Sequence, residues 1–137
     1  MDLGAHSIVS PEEVTRVREQ STFFSKASQE DVLKTGLQAQ AYVRELLKSH
    51  PFKVYTKWGR VPESERYYAF ITVEMEKGQP PYDLGEILVR KGFAAPLGQQ
   101  TAPLPQPLPP SDRYVAQLGT AMTAARNEHA GAWAFAK

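Results

Sequence analysis

The chain has 137 residues, 42% of them hydrophobic and 23% charged, a balance that suits one soluble domain with a real core. Lys and Arg total 16 against 15 Asp and Glu, so the net charge of +1 excludes a non-specific nucleic-acid binder that works through a global basic excess. There are no cysteines, which excludes disulfide frameworks and thiolate metal sites, and no apolar run approaches the ~18 residues of a spanning helix. The opening MDLGAHSIVSPEE has neither a basic region nor a long apolar one, so no signal peptide and no membrane association are expected.

Ser10-Pro11-Glu12-Glu13 reads as a helix start: Ser10 can cap, Pro11 suits the first helical position, and Glu13 can reach back to the cap amide. The helix is predicted to run to about Phe24 with a weakly apolar face, and so to lie on the surface. Ser28 to Asp31 is a second capping signal, for a helix reaching about Ser49. Gly36 marks a break or a close contact. Beyond it Leu37, Ala41, Arg44 or Glu45, and Leu47 or Lys48 run at helical spacing, with Val43 and Leu46 widening the buried face. His50-Pro51 ends that helix, because a residue before proline resists helical geometry.

Phe52, Val54, Thr56 and Trp58 alternate with Lys53, Tyr55 and Lys57, the pattern of a half-buried strand. Gly59 to Ser64 is a polar loop. Arg66 to Met75, rich in aromatic and β-branched residues, is predicted as a central strand. A turn around Gly78 follows. Asp83 can cap a helix that turns Leu84, Ile87, Leu88 and Val89 to the core, and Gly92 can end it in the left-handed conformation. Residues 95–110 hold six of the 11 prolines and read as a semi-rigid extended linker. Ser111 is predicted to cap a last helix with Tyr114, Leu118, Met122 and Ala125 on one face, ending at Gly131. His6, His50 and His129 are scattered without metal-ligand spacing.

The order and wording of these segments resemble the later two-thirds of a staphylococcal-nuclease-like (thermonuclease) domain. The words that carry the likeness are GLQAQAYVRELL, RYYAFITV, LGEILVRKGFA and RYVAQLGTAMTAARNEHAGAW, and it spans roughly residues 10 to 134. VREQSTFF is similar to an insertion in some bacterial members. The resemblance implies an α+β fold: an OB-type five-stranded barrel packed against helices, here with its early strands missing or very short, in one domain over residues 1–137. Two strands alone cannot close a barrel, so a protein partner supplying strands is one expectation.

The resemblance also implies a function. Family members cleave DNA or RNA phosphodiesters with Ca²⁺. Metal and guanidinium groups neutralise charge growing on the phosphorane oxygens, while a carboxylate activates water. An oxygen-only site with few protein ligands suits Ca²⁺. Arg66 falls on the second of two phosphate-gripping arginines, and Lys57 and Arg60 on the preceding segment would attract a single strand of nucleic acid. The first arginine and the early carboxylate have no counterpart in this chain. A family Asp-x-Pro-Glu word can be placed in two registers. One puts Asp2 at the metal-binding Asp and Ala5 at the base Glu. The other puts Glu12 at the Glu and Val9 at the Asp. Neither keeps both carboxylates, and a first-turn glutamate such as Glu12 also stabilises its helix by roughly 0.3–1 kcal/mol through the dipole alone.

Two further pairs follow from the likeness. Arg90 and Glu128 fall on a family ion pair and are expected to touch. A second pair is replaced by Ala95 and Met122, apolar on both sides; losing only one partner of a buried pair would strand a charge at roughly 3–5 kcal/mol. Relatives carry a nucleotide-seating tyrosine where this chain has Leu97. The set of expectations is a nuclease-lineage domain with an incomplete catalytic set. The alternative is a non-catalytic module of the same fold that binds single-stranded nucleic acid or a protein. A third reading, a protein-interaction module built on the proline-rich linker, rests on composition only.

Overall fold

A computed structural model describes residues 2–3, 11–56, 69–97 and 110–136. In chain order its elements are β1 (Asp2–Leu3), α1 (Pro11–Phe23), α2 (Gln29–Ser49), β2 (Phe52–Tyr55), β3 (Phe70–Val73), β4 (Tyr82–Asp83), α3 (Leu84–Arg90), β5 (Ala94–Ala95), α4 (Ser111–Asn127) and a final 3₁₀ helix (Gly131–Phe135). The architecture is α+β. β2, β3 and β4 form an antiparallel sheet in that order, with Phe52 opposite Val73 and Val73 opposite Tyr82. β1 pairs separately with β5, Asp2 opposite Ala95. Among the described residues these sheets do not close into a barrel.

The helix signals work where side chains reach amides. Ser28 caps α2 by accepting from the Asp31 N–H at 3.1 Å. Asp83 caps α3 by accepting from the Gly85 and Glu86 N–H groups at 3.0 and 2.9 Å. Each satisfies donors that a helix N-terminus otherwise leaves bare. Ser111 does not act as a cap: it is the first residue of α4, and the N-cap is Pro110, which offers its carbonyl to the Tyr114 N–H at 2.9 Å but has no side-chain acceptor.

Gly92 ends α3 at φ +69°. Its need for glycine is also steric, because a Cβ there would sit 2.0 Å from the Ala130 carbonyl oxygen. Gly131, at φ +54°, meets the Lys91 and Gly92 carbonyls in the same way. The two backbones cross without side chains, and the Ala132 N–H donates to the Gly92 carbonyl at 3.0 Å. That crossing ties the end of α3 to the 3₁₀ helix.

Two apolar clusters form the core. One gathers Val17, Phe24, Ala27, Val32, Ala125 and Trp133; the other gathers Leu46, Val73, Leu84, Leu88, Leu118 and Ala121. α4 feeds both, and its Met122 packs against each. Tyr114, Leu118, Met122 and Ala125 therefore share the inward face that their spacing predicted.

Three expectations on burial need correction. α1 is not a loosely lying surface helix: Val17 and Gln20 are each 1% exposed, and Phe24 just beyond it joins Phe23 and Trp133 in a ring cluster with centroids 5.0 to 5.5 Å apart. α2 runs unbroken through Gly36 and buries Val32, Thr35, Gly36, Ala39 and Leu46, while Leu37 is 52% exposed. Leu46 is buried with Val43 and Leu47 packed beside it, as expected, while the N-terminal half of the buried stripe consists of Val32, Thr35, Gly36 and Ala39. In β2, Phe52 and Val54 are about half exposed, since α3 packs on β3 and β4 and leaves the outer strand uncovered among the described residues.

Candidate functional site

The 38-residue span between Arg90 and Glu128 is closed by a forked ion pair. Arg90 Nη1 donates to Glu128 Oε2 at 2.8 Å and Nη2 to Oε1 at 2.6 Å. The planar guanidinium matches the carboxylate edge to edge, a geometry lysine cannot supply. The fork holds the Glu128 carboxyl below the usual range and raises Arg90. Both side chains are exposed, so the pair sets the register between the ends of α3 and α4 more than it adds stability.

The second charged site is half-buried. Asp83 accepts from the two α3 amides, and the hydroxyl of Tyr114 from α4 approaches it. Burial pushes its carboxyl up, and these hydrogen bonds pull it part of the way back. Burial, reinforced by the Asp83 charge, also pushes the Tyr114 hydroxyl up, so it stays a donor in neutral solution. Tyr114 in turn lies 5.1 Å from the Phe70 ring, and Phe70 lies 6.5 Å from Tyr55, its cross-strand partner. An aromatic row thus runs from α4 across β3 to the end of β2. Sequence reasoning named Asp83 as a cap and Tyr114 as a core residue but did not join them, because nothing local links positions so far apart.

The other expected site residues fall as follows. Arg66, Lys57 and Arg60 lie outside the described residues, as do Trp58, Tyr67 and Tyr68. Asp2 lies in β1, where its backbone pairs with that of Ala95. Glu12 lies in the first turn of α1. No side-chain geometry is described for either. Among the described residues no group of three or more His, Asp or Glu is placed to hold a metal ion. Ala95 is 1% exposed and belongs to an apolar cluster against which Met122 also packs. Leu97 packs on that cluster too.

At the far end of α4 lies an open concavity of about 490 Å³, lined by Ser25, Arg126, Asn127, His129, Trp133 and Ala136. The Arg126 guanidinium lies over the Trp133 ring, 5.7 Å from its centroid. This grouping was not anticipated: Ser25 is a hundred residues from the others, and no motif joins them.

No family model, no curated protein and no solved structure matches this chain. No described helix is long and apolar enough to cross a membrane.

Proposed function

We propose that this chain is a nuclease-lineage domain of OB type, a metal-dependent phosphodiester hydrolase in its complete form. As it stands it is weak or inactive in cutting and retains a grip on single-stranded nucleic acid. The observation that carries the lineage is the Arg90–Glu128 fork, which the family likeness demanded and which joins residues no local pattern would pair. The apolar surroundings shared by Ala95 and Met122, which pack in or against one cluster, agree with the paired loss that the likeness implies.

The grip is assigned to one connection. Lys57, Arg60 and Arg66 all belong to the segment that leaves β2 after Tyr55 and re-enters at Phe70, and these two residues pair across the strands. A basic connection rooted in an aromatic row is the chemistry that holds single strands, with cations on phosphates and rings for stacking. Neither register of the Asp-x-Pro-Glu word keeps both carboxylates, and that is the ground for expecting grip without hydrolysis. Ca²⁺ belongs to the complete family site and is not required for binding in this reading.

Anisotropy of a labelled single-stranded DNA tests it. Affinity should fall steeply with salt, and Arg66→Ala should weaken it and lower the slope by about 0.7 for the one phosphate contact removed. Unchanged binding in that variant would sink the assignment. Robust Ca²⁺-dependent cutting abolished by Arg66→Ala would instead restore the full enzyme.

A further inference from the structure

We infer that the concavity at the ends of α1 and α4 is a binding site for a small phosphate monoester, built from residues other than those of the proposed Arg66 grip. Its wall presents a guanidinium, an imidazole, a carboxamide and a hydroxyl from Arg126, His129, Asn127 and Ser25, with no carboxylate among the described lining residues. Four neutral or cationic hydrogen-bonding groups around one opening suit a ligand with three terminal oxygens better than a carboxylate with two. Its volume of about 490 Å³ leaves room for an organic group beyond the phosphate.

Backbone conformation supplies an independent argument. Ser25 and His129 have φ +55°, the left-handed region, and so does Lys26 at +64°. These are helix-end positions where glycine fits without strain. The chain uses glycine at two other such positions, Gly92 and Gly131, where a Cβ would strike backbone. Beside the concavity it instead keeps side chains that must be held in an unfavourable conformation, and two of them line the wall. Side chains retained against backbone preference are side chains with a use.

The electrostatics do not oppose an anion. Both helices end here, and their carbonyls would repel it, but the turns consume several of them. Lys26 N–H donates to Ser21, Ser25 N–H to Thr22, Ala130 N–H to Ala125 and His129 N–H to Arg126. Glu128, the acid adjoining His129, has both oxygens engaged by Arg90. Arg126 is held in place from below by Trp133, itself fixed between Phe23 and Phe24. The guanidinium is therefore positioned before a ligand arrives.

The test is an amide-resonance titration of the full chain, with inorganic phosphate and a nucleoside 5′-monophosphate in separate arms. Shifts should centre on Ser25, Arg126 and His129 at millimolar ligand or below. Arg126→Gln and His129→Gly should each weaken binding about tenfold, the loss of one charge-assisted hydrogen bond. His129→Gly should also raise the thermal midpoint, because it relieves the left-handed strain, so weakened binding in that variant is not misfolding. Tighter binding of the nucleotide would identify the organic group as part of the ligand, and equal affinities would identify the phosphate alone; either supports the site. Arg66→Ala should leave these shifts unchanged, so failure here and failure of the Arg66 grip are separable. Absence of shifts at these residues, or affinities unaltered in both variants, would overturn the inference.

Discussion

Gly92→Ala isolates the contact that fastens the C-terminal segment to α3. Three costs combine. Alanine at φ +69° suffers the left-handed penalty of roughly 1–2 kcal/mol. Its Cβ would stand 2.0 Å from the Ala130 carbonyl oxygen, so the two backbones must part, an overpacking cost of about 1–3 kcal/mol. Parting them breaks the hydrogen bond from the Ala132 N–H to the Gly92 carbonyl, worth about 0.5–1.5 kcal/mol. The expected loss is about 3–6 kcal/mol. Gly78→Ala is the control: its φ is +79° but nothing lies within 4 Å of an added Cβ, so only the conformational cost of roughly 1–2 kcal/mol should appear. Urea unfolding followed by far-ultraviolet circular dichroism measures both variants, with the slopes required to match. If the two variants lose equal stability, the close approach of the Gly92 and Gly131 backbones contributes nothing and the reasoning is refuted.

Asp83 gives a pH signature. Burial raises its folded-state pKa above the ordinary 3.8, so the folded state holds the proton longer than the unfolded chain. Its contribution is whole below 3.8 and is lost as pH rises through the raised value, so the stability of the wild type relative to Asp83→Asn should fall as pH climbs from 3.8; a difference that grows instead would contradict the burial argument. For the Arg90–Glu128 fork, a double-mutant cycle with Arg90→Ala and Glu128→Ala should return a favourable coupling that shrinks in high salt, as expected of an exposed pair. A coupling indistinguishable from zero at low salt would show that the fork is only geometric.

Much of the fold was legible because its signals are local. Ser28, Asp83 and Gly92 announce helix ends through one side chain or one missing Cβ, and they sit where the sequence placed them. Of the central strand expected over Arg66 to Met75, Phe70–Val73 is a strand, Glu74 and Met75 fall outside it, and residues 66–68 lie outside the described residues. What was not legible depends on neighbours. Leu37 and Ala41 have the spacing of a buried face, but α2 is packed by α1 and the 3₁₀ helix and buries Thr35, Gly36 and Ala39 instead, leaving Leu37 52% exposed. Phe52 and Val54 alternate like inward residues and still stand half exposed, because burial requires a covering element and alternation does not provide one. The joining of Phe23 and Phe24 to Trp133 has no period at all. Of the candidate site, the fork between Arg90 and Glu128 was readable only through family likeness, and the approach of Tyr114 to Asp83 and the Ser25, Arg126 and His129 concavity were not readable, since each is assembled from distant segments. Arg66, Lys57 and Arg60 remain for the binding experiment to judge.

The double role of α4 bears on the order in which this protein can be made. Leu118 and Ala121 complete one apolar cluster and Ala125 the other, so neither closes until the last helix has been synthesised. Arg90 waits 38 residues for its partner, which at ribosomal speeds of about 5–20 residues per second is roughly 2–8 s. During that interval Leu84, Leu88 and Val89 have no α4 to cover them. Both clusters then close late, and the nascent chain leaves these apolar residues open to aggregation and to chaperones until α4 arrives.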